Sequence, residues 1–194
     1  LSLLPQATEI SKEVSRRFFK KPLDQIGMVS KADASPVTAA DLEIEAKLRE
    51  LIAKNFPQHG IIGEEHGNTN ADAEFVWVLD PIDGTKSFIS GVPLFTTLVA
   101  LLHNGEPVCG AIYQPILDEL VWGNNKECFF NGKPTRIRNT SSLAEATLLV
   151  TDARHVGELH PQAHFHELAA DVKFWRTWAD GYGYALLATG YADI

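Results

Sequence analysis

Trp77-Val78-Leu79-Asp80-Pro81-Ile82-Asp83-Gly84-Thr85-Lys86-Ser87 is the stretch on which the reading of this chain turns. The apolar run Phe75 to Leu79 has the character of a buried strand, and Asp80 stands at its end. Pro81 holds the backbone extended, Asp83 follows three positions after Asp80, and Gly84 with Thr85 opens a short helix. Two carboxylates and the Ile82 carbonyl then converge on hard divalent cations, which prefer oxygen ligands. The amides of Gly84 and Thr85 at a helix start suit a phosphate. Metal ions beside a phosphate cradle point to phosphoryl chemistry.

Outward from this stretch, helices precede and strands follow. Leu1 to Lys21 reads as a helix with Ile10, Val14, Phe18 and Phe19 on one face, and Val29 to Ser35 as a loop. Thr38 to Asn55 is the clearest helix: Thr38 and Asp41 fit a capping box, Ile44, Leu48, Leu51 and Ile52 form an apolar stripe, and Pro57 ends it. A short strand, Gly60 to Gly63, leads into Glu64-Glu65-His66, and Asn68 to Glu74 is a polar loop. Phe95 to Leu102 and Pro107 to Tyr113 flank the hairpin signal Asn104-Gly105. Leu120 to Trp122 pairs with Cys128 to Phe130, and Asn131-Gly132 turns the chain before a strand at Thr135 to Arg138. This antiparallel meander after helices predicts an α+β or layered α/β class. A polar stretch near Asn139 to Ser142 suggests an N-terminal α+β domain over 1–145 carrying the metal site. A second α/β domain would begin over 146–194, with a strand at Thr147 to Thr151. Tyr182 to Ile194 reads as a helix running into the start of a strand at Tyr191. A domain seldom stops there, so a truncated chain is expected.

The 194 residues carry a formal net charge of −8 with no basic stripe, which argues against a nucleic-acid partner. It does not exclude an anionic substrate, because bound cations reverse the local sign. Cys109 and Cys128 read as reduced core residues rather than a disulfide or zinc site. No run is long enough for a membrane span, and Leu1 to Pro5 lacks the features of a secretory signal. A cytoplasmic protein is expected.

Asp80 and Asp83 are the primary metal candidates, with Glu64 and the adjacent Glu65 as further carboxylates. The bland alternative makes Asp83-Gly84 an ordinary turn. Asp41 is explained equally well as a capping-box residue or as a catalytic group. His155, His160, His164 and His166 lie in a polar segment where a solvated face is the better reading than zinc. Trp175 and Trp178 are packing residues by default, although an imidazole could stack on them. Arg176 is a candidate anion or substrate contact.

Asp80-Pro81-Ile82-Asp83-Gly84-Thr85 followed by Phe88, with Gly63-Glu64-Glu65 and Ser35-Pro36-Val37-Thr38-Ala39-Ala40-Asp41, resembles the inositol monophosphatase superfamily. The resemblance covers essentially the whole chain. It implies a layered αβαβα fold and a Mg²⁺-dependent phosphomonoesterase with two or three ions per complete site. It assigns Glu64, Asp80 and the Ile82 carbonyl to a first metal, Asp80 and Asp83 to a second. Asp41 and Thr85, with Glu65 beside them, would orient and activate the attacking water, and Gly84 and Thr85 would hold the phosphate. Asp180-Gly181-Tyr182-Gly183-Tyr184-Ala185-Leu186-Leu187-Ala188-Thr189-Gly190 resembles the corresponding stretch of the superfamily's histidinol-phosphate phosphatases. Asp180 there could pair with a cationic amine or imidazole, or merely cap a helix; Gly181 replaces the branch's usual cysteine. The implied reaction is hydrolysis of histidinol phosphate in histidine biosynthesis. Inositol-1-phosphatase and a broad sugar-phosphate or nucleotide phosphatase are the alternatives, and a non-catalytic binding module or inactive fragment is the alternative of another class. The superfamily's last metal aspartate, in a Trp-Asp motif, falls beyond Ile194. A homodimer is permitted by the apolar helices.

Overall fold

The structure, a computed structural model, describes residues 2–30, 36–154, 156, 164–178 and 180–194. Helix α1 (Leu4–Phe18) has Pro5 in its first turn and ends where Phe19 turns extended and Lys20 takes a positive φ. It is thus shorter than the expected Leu1 to Lys21. Helix α2 (Ala39–Asn55) starts at the predicted capping box: the Thr38 hydroxyl accepts from Ala40 N–H at 3.2 Å, and the Asp41 carboxylate accepts from Thr38 N–H at 2.8 Å.

Eight strands form one sheet. In chain order they are β3 (Gly60–Gly63), β4 (Gly67–Thr69), β5 (Phe75–Asp83), β6 (Thr96–His103), β7 (Glu106–Gln114), β8 (Glu119–Asn124), β9 (Cys128–Phe130) and β10 (Lys133–Pro134). Strands β1 (Val29–Ser30) and β2 (Pro36–Val37) pair separately. The spatial order is β10-β9-β8-β7-β6-β5-β3-β4. From β5 onward this is the expected antiparallel meander. The strand expected at Thr135 to Arg138 is replaced by Lys133–Pro134, because the tight Asn131-Gly132 turn brings the first residues after it straight back against β9. Strand β4 occupies part of the predicted polar loop, and β3 pairs in parallel with β5, so the sheet is mixed.

Helices α1 and α2 cover one face. Val14, Ala40, Ile44, Leu48 and Ile52 meet Ile61, Trp77, Leu79 and Ile82 there, with Phe88 and Phe95 closing the end near the Asp80 turn. Burying such side chains contributes roughly 1.5–3 kcal/mol each. The opposite face carries the C-terminal helix Gly181–Ala188 against β6 and β7. That helix stops where Gly190 takes φ +77°, so the helical reading to Tyr191 was too long. The residues beyond form no strand, although Leu149 N–H donates to Ile194 O and Asp193 N–H to Thr147 O beside β11 (Thr147–Leu149).

Strand β11 pairs in parallel with β12 (Phe174–Arg176). With the helix Phe165–Asp171 they build a second, smaller core of Ala146, Leu148, Phe165 and Val172. Asp193 ties this part to the preceding segment by accepting from Arg138, from the Thr140 hydroxyl and from Thr147 N–H, the last at 2.6 Å. The arrangement is the layered α/β class expected. No helix among the described residues is long and apolar enough to cross a membrane.

Candidate active site

In a regular strand Asp80 and Asp83, an odd number of residues apart, would point to opposite faces. The register prevents this: Asp80 pairs with Leu98 and Asp83 with Thr96, so Pro81 and Ile82 together oppose the single residue Thr97. Pro81 has no N–H for the ladder, and a bulge there costs no hydrogen bond. Its carbonyl accepts from the Thr97 hydroxyl at 2.7 Å, and that oxygen lies 2.6 Å from the Ser11 hydroxyl of α1. The bulge therefore brings both aspartates to the face away from α1 and α2.

Parallel pairing of β3 and β5 supplies the next carboxylate. Gly63 lies opposite Leu79, and Glu64 N–H donates to Leu79 O at 3.3 Å, so Glu64 emerges beside Asp80. The Glu64 charge acts directly on Asp80. Burial, then the charges of Glu64 and Asp83, push the Asp80 carboxyl well above the usual carboxylate range. Asp83 is also raised, by burial foremost; the Gly181 N–H and the Thr96 hydroxyl, which both donate to it, oppose that shift, and neighbouring Asp180 adds to it.

Asp41, 1% exposed at the start of α2, belongs to the same charge cluster. Burial raises it to about 6 against the two hydrogen bonds from Thr38, with a further push from Glu65. The capping and catalytic readings of Asp41 are thus compatible in space. Thr85 begins the short helix α3 (Thr85–Ile89), but its hydroxyl donates to the Ile82 carbonyl at 3.0 Å rather than to Asp41. Gly84 has φ +87°, where an L side chain is strained, and a Cβ there would lie 3.1 Å from Asp180 Oδ2 and 3.1 Å from Leu94 O.

Asp180 therefore sits over the Gly84 turn. It precedes the C-terminal helix, yet its side chain makes no capping bond, and its backbone has φ 65° and ψ −165°, a region essentially reserved for glycine. Gly181 is required by the same packing, since a Cβ would lie 2.3 Å from Thr96 Oγ1 and 2.6 Å from Asp83 Oδ2. Arg176 is not drawn into the cluster: its guanidinium donates to Trp175 O and stacks over Phe174 and Trp178. Trp175 meets Phe165 edge-on. His164 and His166 face solvent, while His155 and His160 lie outside the described residues. Cys109 and Cys128 are free and half-buried.

The donor set is all oxygen and suits a hard cation. Asp80 Oδ1 is buried with no hydrogen-bond partner, an orphan that a cation would satisfy. Among the described residues no three histidine, cysteine or acidic side chains already stand together as a metal cage. Two residues that shape the site, Thr96 and Glu45, escape the local sequence patterns. Thr96 and Gly181 hold Asp83, and Glu45 accepts from the amides of Glu65 and His66. The sequence signal for Glu45 is its i,i+4 spacing from Asp41 and to Arg49 on one helix face. Gly63 must stay bare for Glu45, as a Cβ would lie 2.1 Å from Glu45 Oε1 and 2.5 Å from Arg49 Nη2. Gly63→Ala is expected to cost about 1–3 kcal/mol in urea unfolding through overpacking; an unchanged midpoint would show that the turn yields freely.

A mixed sheet with paired helices on one face and acidic residues gathered at a bulged strand end defines a layered α/β scaffold with a carboxylate-rich site. A family model for the inositol monophosphatase family matches residues 3–194, and the chain belongs to that family. It is 42% identical over 189 residues to the chloroplastic bifunctional phosphatase IMPL2 of Arabidopsis thaliana, covering 96% of this chain and 54% of that relative. It is 32% identical over 192 residues to a histidinol-phosphatase of Chlorobaculum parvum, covering 96% and 74%. A solved inositol monophosphatase from Zymomonas mobilis superposes with TM-score 0.81 at 35% identity, covering 99% of this chain and 73% of that one. The chain thus spans about half the length of the plant relative and about three quarters of the bacterial one.

Proposed function

We propose that this protein is a Mg²⁺-dependent phosphomonoesterase whose substrate is histidinol phosphate. The observation that carries the phosphatase reading is the buried, unpartnered Oδ1 of Asp80, a residue under the charges of Glu64 and Asp83 at the bulge. Glu64, Asp80, Asp83 and the Ile82 carbonyl would hold the cations. Bound there, Mg²⁺ would supply Lewis acidity toward a phosphoryl oxygen and an acidified water.

The chain's own groups do the rest. Asp41, with a carboxyl near 6, is ionised at neutral pH and takes the proton of the attacking water. The Thr85 hydroxyl, now on the Ile82 carbonyl, is within the same turn and orients that water. Glu65 tunes Asp41 by its charge. The amides of Gly84 and Thr85 receive phosphate oxygens as negative charge spreads over them. Water adds to phosphorus, the ester P–O bond breaks, and the leaving alkoxide takes a proton from solvent water while Asp41 returns its proton to solvent.

Asp180 supports the choice of a cationic substrate. Its carboxylate overhangs the phosphate turn in a backbone conformation that carries strain, and strain of that kind collects at functional sites. The named histidinol-phosphatase relative agrees with this reading. Asp180→Ala is expected to raise KM for histidinol phosphate about tenfold or more, the value of a lost charge-assisted hydrogen bond, and to leave inositol 1-phosphate unaffected. Side-by-side turnover of histidinol phosphate, inositol 1-phosphate and a nucleoside 3′,5′-bisphosphate provides the check. Equal effects on all three would remove Asp180 from substrate recognition. The same reading places the enzyme in the cytoplasm, consistent with two unpaired thiols.

A further inference from the structure

Glu45 takes no part in the chemistry proposed above, yet its carboxylate is wholly buried, 0% exposed on α2. Its Oε2 accepts from Glu65 N–H at 2.7 Å, and its Oε1 accepts from His66 N–H at 3.0 Å and from Arg49 Nε at 2.8 Å. Arg49 donates onward to the Gly67 carbonyl and, at 3.2 Å, to the Thr69 hydroxyl. The His66 ring nitrogen Nε2 meets the Leu42 carbonyl at 3.0 Å. Apart from the Glu45–Arg49 pair within α2, every one of these bonds ends on the turn between β3 and β4 or on β4 itself.

A buried ion pair is weak ground for a stabilising role, because desolvation offsets much of its attraction. What the pair does supply is geometry. Two successive amides of the turn, which the sheet ladder leaves over, are claimed by one rigid acceptor. The residue before them, Glu64, is fixed from the other side by its own N–H on Leu79 O. Gly63 has no side chain, and a Cβ there would collide with Glu45 Oε1. The Glu64 backbone is therefore clamped between β5 and α2, and its carboxyl has one place to go.

Glu45 also stands one helical turn after Asp41 on the same face of α2. A single helix thus sets the Asp41 carboxylate and the Glu64 turn in register with each other. We infer that Glu45, braced by Arg49, is a positioning residue that fixes the Glu64–His66 turn so that Glu64 presents its carboxylate beside Asp80. This rests on the reading of Glu64 and Asp80 as cation ligands. It goes beyond that reading by assigning the geometry of the pair to a buried charge on a different element.

The test titrates Mg²⁺ into the wild-type protein, Glu45→Gln and Glu64→Gln by calorimetry, alongside thermal melts and amide hydrogen exchange. Gln keeps the shape of Glu45 but turns one acceptor into a donor facing a donor. Glu45→Gln is expected to keep a cooperative melt and to lose Mg²⁺ affinity by about 10- to 100-fold, the usual effect of removing a group that orients a metal ligand. Exchange should quicken at the Glu65 and His66 amides and stay slow along β5. Should Glu45→Gln fail to fold, Glu45→Asp carries the same test, its charge kept and its reach too short for both amides.

Unchanged Mg²⁺ affinity in a folded Glu45 variant, whatever its melting temperature, overturns the positioning role. Unchanged affinity in Glu64→Gln overturns instead the cation-site reading on which it rests.

Discussion

Asp80→Asn is expected to abolish the Mg²⁺ response and phosphatase turnover while leaving the metal-free protein at least as stable as the wild type. Asp80 is the residue common to both proposed cation positions, and its Oδ1 is the buried oxygen without a partner. Losing it removes Lewis-acid stabilisation worth several kcal/mol, or about three orders of magnitude in rate. The stability half of the prediction follows from the sign of the shift. Burial and the charges of Glu64, Asp83 and Asp41 hold this carboxyl above its ordinary range, so it favours folding below the unfolded value and loses that contribution as pH rises through the raised one. An amide mimics the neutral form. It should therefore cost little at neutral pH and help under alkaline conditions. Thermal melts with and without Mg²⁺, together with turnover of histidinol phosphate, decide the matter. Wild-type-like turnover would end the metal assignment.

The strand end was legible because its signals are local. An apolar run, a proline that cannot join a ladder and a glycine at positive φ act within a few residues of themselves, and the bulge at Pro81-Ile82 is their direct result. The capping box at Thr38 was legible for the same reason. Pairing was not local. Nothing within Gly60 to Gly63 announces that this strand lies parallel to β5, although that pairing is what sets Glu64 next to Asp80. Glu45 was hidden more deeply. On a helix with charges at Glu43, Glu45, Lys47 and Arg49, a carboxylate reads as solvated until the turn that covers it is known. Asp180 was legible as a chemical group but not as a geometry, since a helix-start aspartate normally caps and this one does not. Arg176 lies apart from the acidic cluster for a comparable reason: Phe174 on its own strand and Trp178 just beyond it hold the guanidinium where it is.

Mg²⁺ binding is expected to release a proton and to tighten steeply with pH. In the metal-free protein Asp80 is raised to about 9 by burial and by the charge of Glu64, so it holds a proton across neutral pH. A cation binding both carboxylates must displace that proton, because ligands enter in their ionised form. Below the raised value, apparent Mg²⁺ affinity should therefore climb by about tenfold per pH unit. The rise in melting temperature produced by a fixed Mg²⁺ concentration should grow in step, since binding to the folded state alone adds stability. The metal-free protein runs the other way: its Asp80 contribution is complete at acid pH and disappears on the alkaline side. Two melting curves, with and without Mg²⁺, should consequently diverge as pH rises. Calorimetry in two buffers of different ionisation heat counts the proton directly, with about one released per site at neutral pH. Binding heats independent of buffer, with an affinity flat between acid and alkaline pH, would show that Asp80 is already ionised. The charge cluster would then need a partner other than that proton to hold it together.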